Sequence, residues 1–184
     1  MTAPIAAAER LLAFVDASPT PFHVCAAAAK RLEEVGFTRH DLRDQWQSGP
    51  QRGYAIVGGS LIAWHVGDLA TAHQGFRVVG AHTDSPNLRL KQNHDSVRTG
   101  STMVALEPYG GPLLESWLDL DLGIAGRVFL HGGRELLVRI DEPLLRVPRL
   151  AIHLDRDGSK LDRQRHLDAI WSLSDRPFLT EVGE

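Results

Sequence analysis

The chain has 184 residues, 43% hydrophobic and 23% charged, which is enough apolar sequence to bury a core and excludes disorder along its whole length. Its 20 Lys and Arg against 23 Asp and Glu give a formal net charge of -3, with no basic block of five or more, so no electrostatic footprint for nucleic acid is present. Cys25 is the sole cysteine, so no intramolecular disulfide can form and the cytoplasm is the default compartment. Glu9 and Arg10 interrupt the Ala-rich start, against a signal peptide, and no run approaches the roughly 20 apolar residues of a membrane span. A soluble protein without membrane or nucleic-acid partners is expected.

The spacing from Ile5 to Phe14 predicts a helix that Ser18-Pro19-Thr20-Pro21 ends. A second helix should follow at once, with Thr20 as N-cap and Pro21 at the first helical position. Phe22, Cys25, Ala29, Leu32 and Val35 recur along it at helical intervals, and Gly36 sits where a left-handed residue closes a helix. Cys25 lies on that apolar stripe and reads as a small core residue, not a reactive thiol. Past a polar connector at Ser48-Gly49-Pro50, Tyr54 to Val57 and Leu61 to Val66 flank Gly58-Gly59-Ser60 as a hairpin. Phe76 to Gly80 then reads as a short core strand running into Ala81-His82-Thr83-Asp84-Ser85-Pro86. Ligands collect at such carboxyl ends of strands in α/β domains.

After Lys91 the pattern becomes strand and turn: Met103 to Leu106, Arg127 to Leu130, a His131-Gly132-Gly133 turn, and Glu135 to Ile140. Pro143 and Pro148 bracket Leu144 to Val147, and Leu150 to Leu154 alternates like a half-buried strand containing His153. Leu161 to Leu173 has some helical spacing, and the last dozen residues show no element. The change of character divides the chain into segments 1–91 and 92–184, the second mostly β.

In a strand, residues two apart face the same side, so His82 and Asp84 would share one site while Thr83 points away. A carboxylate on one ring nitrogen fixes the tautomer and frees the other nitrogen for a metal. Taken alone, this pair is a weak signal, and spacing by itself favours reading it as surface polar residues. His153 read by itself is a hydrogen-bonded structural residue, and the histidines at 23, 40, 65, 73, 94, 131 and 166 show no paired ligand spacing. Asp119 and Asp121 share a face if extended, but without a neighbouring His they read as loop residues that fix backbone. No Gly-x-Ser-x-Gly elbow and no phosphate-binding glycine pattern is present, which argues against covalent catalysis and a nucleotide site.

Five runs taken together carry more than any one of them: SPTPFHV, VVGAHTDSPNLRLK, VALEPYGG, ESWLDLDLGIAGRV and DEPLLRVPRLAIHL. In this order they resemble the M18 metalloaminopeptidases, the aspartyl aminopeptidase group, across most of residues 10 to 170. The resemblance implies a two-zinc exopeptidase acting on peptides, in which an α/β peptidase domain is interrupted by a β-rich oligomerisation domain. This chain would hold the N-terminal part of the first and part of the second. It also implies His82 as the first zinc ligand and Asp84 as the catalytic-site carboxylate that supports it. His153 matches a histidine that either binds metal or reaches a neighbouring subunit's active site. An even-numbered homo-oligomer is implied for the complete enzyme, whereas a preference for acidic N-terminal residues belongs to only part of the group.

Two departures stand out. Leu120 occupies a position where the group commonly has Arg, so an ion pair made there is not carried over. The chain also ends before the group's bridging Asp, its Glu pair, a further carboxylate ligand and a closing His. The expectation is therefore an aminopeptidase portion that is inactive alone and that exposes unpaired sheet surface. The rival is a noncatalytic oligomerisation or peptide-binding module.

Overall fold

The computed structural model describes residues 3–46, 52–67, 75–158, 160–174 and 177–178. The connector at Ser48-Gly49-Pro50, His73 and most of the last dozen residues lie outside them. Two compact units are present: Met1–Asp84 with Ala125–Val138, and Ser85–Ile124 with Arg139–Glu184. The fold mixes helices and sheets, an α/β class. No helix among the described residues is long and apolar enough to cross a membrane.

The first unit opens with α1 (Ala3–Asp16) and α2 (Pro21–Glu34). Thr20 is extended, at φ -140°, and its side-chain oxygen accepts the His23 N–H at 3.3 Å, while Pro21 has no N–H to leave unsatisfied. At the other end Gly36 adopts φ 84°. The Gly36 and Phe37 N–H groups then reach the Glu33 and Leu32 carbonyls, each at 3.0 Å, closing the helix. Both caps follow from residues named in the sequence reading.

Strand β1 (Thr38–Arg39) runs parallel to β2 (Arg52–Val57), which forms an antiparallel hairpin with β3 (Ser60–His65) across Gly58-Gly59. Gly58 takes φ 58°, as a two-residue hairpin turn requires. At Gly53 the reason for glycine is packing: a Cβ would lie 2.4 Å from the Trp64 ring. Trp64 stacks on Trp46 with centroids 5.2 Å apart, and His40 lies 5.0 Å from Trp46, an aromatic cluster that the sequence reading did not anticipate. Cys25, Tyr54 and Ala55 are buried.

Phe76 to Gly80 does not form the expected strand. Phe76, Val78 and Val79 are 95%, 86% and 97% exposed. A strand holds its place through a ladder neighbour, and no described strand pairs with this run.

A five-stranded sheet comprises β4 (Asn87–Arg98), β5 (Ser101–Tyr109), β6 (Asp121–Phe129), β7 (Glu135–Arg146) and β8 (Ala169–Ser172), all within the second unit except residues 125–138 of β6, β7 and their turn, which group with the first. Its order is β4-β5-β8-β7-β6. Strands β4 and β5 join through Thr99-Gly100, both at positive φ, and a bulge shifts their register between Leu90 and Asp95. Alternate residues Thr102, Val104 and Leu106 turn inward and are buried. Val104 and Leu106 meet Leu118, Leu145, Val147, Leu167, Ala169 and Phe178 in one apolar cluster.

Three local expectations are corrected here. The stretch from Leu161 yields turns and then β8, because Ile170 pairs with both Met103 and Arg146 and this tertiary pairing overrides a weak helical period. Strand β7 continues through Pro143, whose fixed φ suits extended backbone, so no separate segment is bracketed by the two prolines. Leu150 to Leu154 is a turn, with Ile152 80% exposed.

Leu167 is fully buried in this cluster, so Leu167→Ala is expected to destabilise the second unit by about 2–5 kcal/mol in urea unfolding. Tyr54 gives a pH prediction. Its ring is buried and its hydroxyl donates to Glu33 Oε1. Burial first, then that hydrogen bond and the Glu33 charge, push the phenol up to about 12. The folded state therefore holds the proton more tightly than the unfolded chain, so this contribution is complete below about pH 10 and is lost as pH rises through about 12. Phenolate absorbance should show one of the two tyrosines ionising late, and Tyr54→Phe should remove that late step.

Candidate metal centre

Residues 81–86 form a loop pinned from behind. Thr83 Oγ1 donates to the Gly59 carbonyl at 2.6 Å, tying the loop to the β2–β3 turn. Gly59 is itself closely approached, since a Cβ there would lie 2.8 Å from Pro21 Cβ. With Thr83 held inward, the His82 side chain stands 80% exposed.

The His82 ring turns back onto Asp84. Its Nδ1 lies 2.6 Å from the Asp84 carbonyl oxygen and 3.3 Å from Asp84 Oδ1. A carbonyl only accepts, so Nδ1 carries the proton and the Nε2 lone pair is left for a metal or solvent. The two residues meet through a loop, not through strand alternation, and the shorter contact is to main chain. An imidazole nitrogen beside a carboxylate is a donor set that zinc accepts.

His153 is placed differently. It sits exposed in the turn that the Leu154 N–H closes onto the Ala151 carbonyl at 2.8 Å, not in a half-buried strand. It belongs to the second unit and His82 to the first. Among the described residues no group of three or more His, Cys, Asp or Glu is gathered in a way that could hold a metal ion.

Asp119 fixes backbone as expected, whereas Asp121 opens strand β6 and pairs with a side chain. Asp119 has φ 56°; its N–H donates to the Val147 carbonyl at 2.9 Å and its Oδ1 accepts from the Arg149 N–H at 3.1 Å. Asp121 accepts from Arg146 Nε at 3.1 Å, and this pair holds the Arg146 guanidinium above its ordinary range. The sequence reading did not single out Asp168, 7% exposed and 3.1 Å from Arg98. Its burial arises from the sheet around it, and no local spacing marks it.

A family model described as aminopeptidase I zinc metalloprotease (M18) matches residues 14–182. The chain belongs to the M18 aminopeptidase family. A protein named probable M18 family aminopeptidase 2 from Streptomyces coelicolor is 53% identical over 171 residues, covering 91% of this chain and 40% of that protein. Among solved structures, the Ape4 and Nbr1 complex contains a chain that matches with a TM-score of 0.83 and 34% identity, over 92% of this chain and 34% of that one. The mApe1 dodecamer of S. cerevisiae matches with a TM-score of 0.74 and 28% identity, over 93% and 38%. The chain thus spans about 40% of the length of the curated M18 relatives it matches.

A zinc titration followed through the His82 imidazole resonances should show at most one weakly held ion per chain. His82→Ala should abolish that saturable binding, and Asp84→Asn should weaken it by about 10–100-fold. Two tightly bound zinc ions per chain would contradict this arrangement.

Proposed function

We propose that the chain is part of a zinc-dependent aminopeptidase that hydrolyses the N-terminal residue of peptides, and that these 184 residues do not catalyse by themselves. The observation that carries the first statement is the M18 match, which runs through both compact units and leaves the noncatalytic-module reading unsupported. The second rests on the described residues, where His82 and Asp84 meet but no larger ligand cluster forms.

In this reading His82 Nε2 is the first zinc ligand, and Asp84 keeps the ring proton on Nδ1 so that the lone pair points outward. Zinc bound there would supply Lewis acidity for hydrolysis of the peptide bond, with His82 among the residues that would hold it. Thr83 fixes the loop through Gly59, so the imidazole is presented without reorganising the backbone. His153, exposed on its turn, is assigned either to metal or to a neighbouring subunit's site. The complete enzyme is a cytoplasmic homo-oligomer, in keeping with the dodecamer of its S. cerevisiae relative.

The test begins with the coding sequence after the Glu184 codon. An in-frame or adjacent segment supplying an Asp, a Glu pair and a late His should restore chelator-sensitive hydrolysis of aminoacyl-anilides, and His82→Ala should abolish it. The 184-residue chain should show none. Turnover by that chain alone, or a reconstituted protein indifferent to His82, would overturn the proposal.

A further inference from the structure

The first unit holds a cavity of about 360 Å³ whose lining includes no residue of the His82 loop and which has no part in the proposed reaction. Its floor is Cys25 and Tyr54, 2% and 1% exposed. Phe22, Ala29, Ile56 and Leu136 give it apolar walls, and the rim carries charge. This size is at the lower end for small-molecule sites, and apolar walls with a few placed polar groups are their usual make-up.

The charges on the rim are unequal. Lys30, Arg39 and Arg127 face Glu33 and Glu135. Both carboxylates are engaged: Glu33 accepts from the Tyr54 hydroxyl, and Glu135 accepts from Arg127 at 3.0 Å. Lys30 forms no ion pair among the described residues. The Arg127 guanidinium lies 4.2 Å from the Phe22 ring centroid, and its Nε is buried with no hydrogen-bond partner among the described residues. One positive charge in excess, a Lys30 ammonium without an ion-pair partner among the described residues and an apolar floor together select a small ligand with a single carboxylate and an apolar body.

We propose that this cavity binds small apolar monocarboxylates, with the carboxylate among Lys30, Arg39 and Arg127 and the body against Phe22 and Tyr54. The proposal is independent of the aminopeptidase reading. Calorimetric titration of the chain with 4-phenylbutyrate should show saturable binding at least about tenfold tighter than 4-phenyl-1-butanol, the yield of one charge-assisted hydrogen bond. Amide shifts in the NMR spectrum should centre on Ala26, Tyr54 and Gly58. The Lys30→Gln, Arg39→Gln double variant changes exposed side chains and should reduce the preference for the acid over the alcohol to under about threefold. Ala29→Phe should fill the cavity and remove binding of both. If that variant does not fold, the double variant decides alone. Equal affinity for acid and alcohol, an unchanged preference in the double variant, or shifts centred elsewhere would overturn the assignment.

Discussion

Ile170 pairs on one side with Met103 and on the other with Arg146, and through it the short strand β8 joins two halves of the five-stranded sheet. Without that insertion β5 and β7 would each present an open edge, and Leu167, Ala169 and Phe178 would lose the surface they bury against. The cost of unpaired backbone is what makes a four-residue strand matter so much. The same cost governs the first unit in the opposite sense. Phe76 to Gly80 has the composition of a strand, yet no described neighbour offers it a ladder.

The chemistry at His82 depends on backbone in the same way. Its tautomer is set by a main-chain carbonyl two residues on, with the Asp84 carboxylate at longer range. A main-chain carbonyl can only accept, so it fixes which ring nitrogen carries the proton in the neutral imidazole. The M18 match supplies the family context, and the loop supplies an imidazole whose Nδ1 is engaged and whose Nε2 faces away from that contact.

What could be read from the sequence was what is decided within a few residues. The Thr20 and Gly36 caps, the Gly58-Gly59 turn and the His82–Asp84 pairing involve atoms close along the chain, so residue type and spacing carried the information. Strand β8, the turn around His153 and the exposed run at Phe76 depend on which distant segments lie alongside, and periodicity over short windows does not encode that. The contact among His40, Trp46 and Trp64 was hidden for the same reason: Trp46 lies in the loop after β1 and Trp64 on β3, and Trp64 lies over the bare backbone of Gly53. Asp119 was legible as a backbone-fixing residue because an acidic side chain in a turn has few other uses.

Gly59 touches three things: the start of α2 through Pro21, the β2–β3 turn to which it belongs, and Thr83 through its carbonyl. It therefore works as a spacer whose thickness is that of bare backbone. Adding one methyl group would have to move either the helix start or the turn, and a moved turn takes the Thr83 anchor with it. The aim of the His82 imidazole is thus gauged by a residue with no side chain and no ligand chemistry of its own.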